Sequence, residues 1–105
     1  MSTRGYVGYK NQSGDFVFIY NHFDSNPSCL GRDLFSQFTT LESVVALVDK
    51  GDMQYIGNNY DGRDIRTSSN VPTDQEYTYI FEDGVWYVWE EKRYLGVLNE
   101  DMMKG

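Results

Sequence analysis

The segment Tyr20-Asn21-His22-Phe23-Asp24-Ser25-Asn26-Pro27-Ser28-Cys29-Leu30-Gly31 holds the only histidine, the only cysteine and one of the two prolines of the chain. A histidine titrates near neutral pH and can act as a general acid or base. Asp24 could orient it, and Ser25 or Ser28 could serve as a nucleophile or an anion ligand. Adjacent positions seldom face one another, and a triad is defined by geometry rather than by spacing. The same residues are also good turn chemistry. Asn21 and Asp24 suit Asx turns, Ser28 suits a helix cap, and His22 suits a bond to a backbone carbonyl. Asn26-Pro27 is a turn signal, and Pro27 fits a helix start. No HxH, HxxE or CxxC spacing supports a metal site. Gly5, Gly8 and Gly14 are not followed by the Lys-Ser/Thr of a phosphate loop, so no cofactor is implied. Cys29 reads as a small core thiol or a reactive thiol at a helix start.

The elements around this segment can be read from periodicity. Residues 5–10 and 16–20 are strand-like, and Asn11-Gln12-Ser13-Gly14-Asp15 between them is turn chemistry, which predicts a hairpin. Phe16, Phe18 and Tyr20 share one face of the second strand, and Val17 and Ile19 the other. The pairing brings Arg4 near residues 20–22, where it could pair with Asp24 or face an anion. Apolar positions at 30, 34, 35 and 38 predict a helix. Thr39 and Glu42 fit a capping box, and Leu41, Val44, Val45 and Val48 form an amphipathic stripe. Lys50-Gly51 is a helix stop. Residues 52–75 are a long polar connection in which only Tyr55-Ile56 suggests a strand. Residues 77–81 and 85–90 flank Asp83-Gly84, the signature of a type I′ hairpin. That turn pairs Phe81 with Trp86 and Tyr79 with Val88 on one face, and Ile80 with Tyr87 and Thr78 with Trp89 on the other. Residues 94–98 can add a last strand. The expected fold is α+β: a mainly antiparallel sheet of about five strands, with one or two helices between an N-terminal and a C-terminal hairpin. Aromatics on both sheet faces predict that one face packs on the helices. The other calls for the first hairpin, a ligand or a second copy of the chain.

The 105 residues suit one domain, 1–105, with one modest core. Aromatics are 16% of the chain, a richness that favours strands over disorder. No apolar run of about 18 residues exists, and the N-terminus lacks an apolar signal core, so neither a membrane span nor export is expected. One cysteine cannot form an internal disulfide, which fits a reducing cytoplasm. The formal net charge is −7. Residues 1–40 carry three Lys/Arg against three Asp/Glu, and residues 41–105 carry six against thirteen. Such a field opposes nucleic-acid phosphates and suits a basic partner, or simply keeps the chain soluble.

Thr3-Arg4-Gly5, the stretch from Tyr20 to Ser25, Pro27 and Leu30-Gly31 together resemble a family of small proteins of phages and bacterial genomes. Its pattern is TRG, a hairpin, then YNHxDSxPxxLG, and the match covers residues 3–31. Asn26 stands where that family carries an aromatic, a departure that bears on any stacking role there. The resemblance brings no established reaction. It implies a phage or prophage origin and that Thr3, Arg4, Asn21, His22, Asp24 and Ser25 act as one unit. A fainter likeness is to N-terminal-nucleophile hydrolases, since loss of Met1 would expose Ser2; those enzymes are built on far longer chains. The leading expectation is a small acidic phage-type protein that binds and modulates a host protein in the host cytoplasm. The alternative is a small hydrolase or nucleotide-handling enzyme using His22, Asp24 and Ser25. The scattered cations predict no shift of duplex DNA in a gel assay at physiological salt. A salt-sensitive micromolar shift would overturn the expectation of a protein partner.

Overall fold

The computed structural model describes residues 3–104, so the reading of Ser2 falls outside the described residues. β1 (Gly5–Lys10) and β2 (Phe16–Asn21) form the first hairpin. Its turn is organised by Asn11, whose Oδ1 accepts from the amides of Ser13 (3.0 Å) and Asp15 (2.9 Å). A side-chain acceptor thereby replaces a backbone one, as in an Asx turn. A wide π-type turn (Pro27–Gly31) leads into α1 (Arg32–Gln37), and α2 (Leu41–Asp49) follows. The capping box lies one residue later than Thr39/Glu42. Thr40 Oγ1 accepts from the Ser43 amide (3.1 Å), and Ser43 Oγ accepts from the Thr40 amide (3.3 Å). A serine at the third helical position answers the cap as a glutamate would. The buried stripe is Val44, Leu47 and Val48, while Leu41 in the first turn stays exposed.

Residues 52–75 hold more strand than the one suggested at Tyr55-Ile56. They hold β3 (Met53–Tyr55), β4 (Asn58–Asn59) and β5 (Arg66–Ser68). β6 (Tyr77–Glu82), β7 (Val85–Glu90) and β8 (Arg93–Val97) complete the sheet. The expectation of about five strands is therefore corrected, and that of a mainly antiparallel sheet is only roughly right. Among the described residues the sheet has eight strands in the order β4-β3-β2-β1-β6-β7-β8, with β5 also on β2, and it is mixed. β1 runs parallel to β6 and β2 parallel to β3. Strands of two or three residues are too short to show alternation, which is why the polar tract gave no strand signal beyond Tyr55-Ile56, which overlaps the end of β3. Parallel pairs join segments far apart in the chain, so no turn residue announces them.

The α+β class holds, and the second hairpin has the register that Asp83-Gly84 implies. Phe81 pairs with Trp86, Tyr79 with Val88, Ile80 with Tyr87 and Thr78 with Trp89. Val7, Ile19, Tyr79, Phe81, Trp86 and Val88 face the helices and form the core with Leu34, Val44, Leu47 and Val48. The first hairpin does not cover the opposite face. It lies beside β6 in the same sheet and extends that face. Part of the cover comes from the chain before β6: Thr78 Oγ1 donates to Pro72 O (2.6 Å), and Tyr6 Oη donates to Asp74 Oδ2 (3.3 Å).

Asp52 closes a gap on the outer edge of β2. That edge pairs with β5 at residues 16–18 and with β3 at residue 21. Between them the Tyr20 amide donates to Asp52 Oδ1 (2.8 Å). The same carboxylate receives Arg66 in a two-pronged contact of 2.7 and 2.9 Å. Hydrogen bonding to Asp52 holds the Arg66 guanidinium above its ordinary pKa, against the opposing effect of burial. One carboxylate thus satisfies an edge amide and anchors β5.

The tight turn can be tested directly. Asp83 and Gly84 have φ of 53° and 84°, and a Cβ on Gly84 would meet no atom within 4 Å. Gly84→Val should therefore cost backbone strain alone, about 1–3 kcal/mol. In thermal unfolding each kcal/mol lowers Tm by roughly 4–8 °C for a domain of this size. An unchanged Tm would show that the turn stores no strain against a branched side chain.

Candidate functional site

The end of β2 is where the chemically able residues gather, and they divide into an inner and an outer set. Asn21, the last residue of β2, pairs with Gly5 on one side and Met53 on the other. Its side chain is buried, and its Nδ2 donates to Phe23 O (2.8 Å) and to Ser25 Oγ (2.8 Å). Ser25 is fully buried, and its Oγ donates to the Asn21 carbonyl (3.2 Å). The Ser25 amide donates to Thr3 O (2.9 Å), and its carbonyl accepts from Tyr79 Oη (2.6 Å). Burial pushes the Tyr79 phenol well above its ordinary pKa, so this donor keeps its proton. Gly5 makes the packing possible. A Cβ there would lie 2.8 Å from Tyr77 O and 2.9 Å from Ser25 Cβ.

Arg4 enters through its backbone: its carbonyl accepts from the Tyr77 amide (3.2 Å) and its amide donates to Glu76 Oε1 (3.2 Å). Its side chain is exposed, and among the described residues no ion pair joins it to Asp24. Thr3, Asn21 and Ser25 are thus brought together by hydrogen bonds, with the Arg4 backbone alongside. His22 and Asp24 point away from that knot. Ser25 offers no accessible nucleophile, because its hydroxyl is enclosed and committed on both sides.

The outer set is aromatic and acidic. The His22 and Phe23 amides continue the parallel ladder onto β3, donating to Met53 O (3.0 Å) and Gln54 O (2.9 Å). His22 Nδ1 shares a hydrogen bond with the Tyr20 hydroxyl (2.8 Å). The His22 ring meets Phe23 edge-on with centroids 4.4 Å apart. Burial raises the Tyr20 phenol, with the Arg4 charge acting in the opposite direction. Asp24 is exposed and takes a positive φ of 56°, while its carbonyl accepts from the Leu30 amide (3.1 Å). Beside it a depression of about 230 Å³ is lined by Phe23, Asp24, Cys29, Asp33, Tyr55 and Ile56, with Asn21 buried in its wall and His22 outside it. Asn21 Oδ1 is buried there without a hydrogen-bond partner among the described residues. Cys29 is exposed, not a core thiol.

Tyr55, Ile56 and Tyr60 were not legible as part of this surface. Their one signal is that large apolar side chains interrupt a polar, Asn- and Gly-rich tract with no periodic partners. Phe23, Tyr55 and Tyr60 are all exposed. Among the described residues no three His, Cys, Asp or Glu side chains gather to hold a metal ion, and no helix is long and apolar enough to cross a membrane. No family model, curated protein or solved structure matches the chain.

The inner and outer sets should respond oppositely to truncation. Ser25→Ala strands the Asn21 amide group in the interior and should cost about 1–3 kcal/mol in urea unfolding. His22→Ala removes a half-exposed ring and should stay within about 1 kcal/mol. Equal losses from both would place His22 in the structural knot as well.

Proposed function

We propose that the chain is a small acidic binding protein of phage type that docks on a host protein and modulates it. The observation that carries this reading is the exposed aromatic and acidic patch at the end of β2. There Tyr20, His22 and Phe23 form a row of neighbouring rings, and Phe23 shares a depression with Tyr55, Asp24 and Asp33. Aromatic side chains supply large contact area at low entropic cost and dominate the energetics of protein interfaces. The surrounding carboxylates and the net charge of −7 favour a partner that presents cations around an apolar centre. The buried Asn21–Ser25 pair gives the patch a rigid base, which lowers the ordering cost of binding. The enzyme alternative gains no support, since Ser25 is enclosed and His22 lies outside the neighbouring depression.

The test is affinity capture from host lysate by wild type, Phe23→Ala and Asp24→Asn, followed by affinity measurement with the purified partner. Asp24→Asn keeps a residue tolerant of positive φ while removing the charge. Phe23→Ala should weaken binding roughly tenfold or more, as truncation of an aromatic anchor does, with the fold intact by circular dichroism. Equal capture by wild type and Phe23→Ala would move the interface elsewhere.

A further inference from the structure

The helix-free face of the sheet carries a second feature, which shares no residue with the patch around His22. A groove of about 290 Å³ is lined by Phe16, Val71, Ile80, Tyr87, Trp89 and Tyr94, with Glu82 as its charged group. Ile80, fully buried, pairs with Tyr87, and Trp89 pairs with Tyr94 on the next strand. The Trp89 and Tyr94 rings are tilted at 51° with centroids 5.0 Å apart. Tyr94 is 53% exposed, so the groove is open to solvent on that side.

At the rim, where Phe16 and Glu82 adjoin a neighbouring depression lined by Lys10, the chain shows what these two side chains attract. Lys10 Nζ lies 5.9 Å from the centroid of the Phe16 ring and 3.8 Å from Glu82 Oε2. An aromatic face and a carboxylate at the groove thus already converge on a cation. Lys10 and Glu82 are each 38% exposed, so the pair is weak and Lys10 can leave it.

We infer that this groove binds a quaternary ammonium group. Aromatic faces attract cations through the ring quadrupole, and Phe16, Tyr87, Trp89 and Tyr94 bring four such rings to one groove. The lining discriminates among cations. A primary ammonium or a guanidinium gives up water from several N–H donors on entering, and among the described residues Glu82 is the one carboxylate lining the groove to replace it. A quaternary ammonium carries its charge beneath methyl groups and has no N–H to satisfy. It gains the aromatic faces, the apolar base and the Glu82 charge without that loss.

Choline is the probe, titrated into the wild-type protein and followed by the indole N–H signals in NMR. The chain has two tryptophans, so Trp86, buried in the core, is the internal control for Trp89. The Trp89 signal should move saturably while that of Trp86 stays still. The neutral analogue with a tert-butyl group in place of trimethylammonium should bind several-fold more weakly. Tyr94→Leu, which keeps apolar surface but loses the ring, should weaken choline roughly three- to fivefold. Glu82→Gln should also weaken it, and Lys10→Ala, which removes the competing cation, should strengthen it. A peptide bearing trimethyl-lysine, run in parallel, assigns the source: tighter binding than choline places the group on a polypeptide, and weaker binding places it on a small solute. Absence of a saturable Trp89 shift with both probes, or equal binding of the neutral analogue, overturns the inference. Phe23→Ala should leave the choline titration unchanged, so failure here and failure of the docking surface are separate results.

Discussion

A hydrogen bond inside the core ties the exit of the first hairpin to the second hairpin, beside the β1–β6 ladder that joins the two halves of the chain. Tyr79 Oη donates to the Ser25 carbonyl across 2.6 Å, in full burial. Tyr79 belongs to β6, and β6 lies parallel to β1, which is itself paired with β2. The connector leaving β2 must therefore pass over the place where the N-terminal and C-terminal hairpins meet. Ser25 is the residue that seats there. Its amide is on Thr3, its hydroxyl lies between the side chain and the backbone of Asn21, and Gly5 leaves the space its Cβ occupies. In a low-dielectric interior each of these polar groups must find a partner, so they form as a set.

The outward consequence is a division of labour over a few adjacent residues. The Asn21 side-chain amide nitrogen and the Ser25 hydroxyl bond to each other and to the backbone, while Tyr20, His22, Phe23 and Asp24 turn outward. β3 reinforces the division, because the His22 and Phe23 amides are already bonded to Met53 O and Gln54 O. Those side chains are presented from a pinned backbone. Asp52 acts in the same way one step back along β2, where it takes the edge amide of Tyr20 and the Arg66 guanidinium together. A surface built on such anchors is suited to binding, since little ordering remains to be done when a partner arrives.

Much of this was legible before the fold was known, and the parts that were share a physical origin. The Asp83-Gly84 turn demands two residues at positive φ, and that demand set the register of every pair from Phe81–Trp86 to Thr78–Trp89. The segment from Tyr20 to Gly31 stood out by composition alone, and it does lie at the junction between sheet and helices. The roles within it were not legible. Nothing in the types Asn, His, Asp and Ser says which hydroxyl or amide is enclosed and which ring is exposed. The capping box slipped by one residue because Thr39 and Thr40 are equivalent as letters. Thr40 is the residue at the cap: its backbone is extended and its hydroxyl accepts from the Ser43 amide.

By itself the sequence determined the local choices: the two hairpins, the amphipathic stretch ended by Gly51, the acidic balance and the α+β class. These depend on φ preferences, side-chain alternation and charge, all of which act over a few residues. Tertiary structure alone decided the parallel pairing of β1 with β6, the recruitment of β4 and β5 from a polar tract, and the burial of Ser25 beside an exposed Phe23. Those outcomes rest on contacts between segments as far apart as Gly5 and Tyr77. Their energy comes from surfaces that meet only after the chain has folded, so no local pattern of residues encodes them.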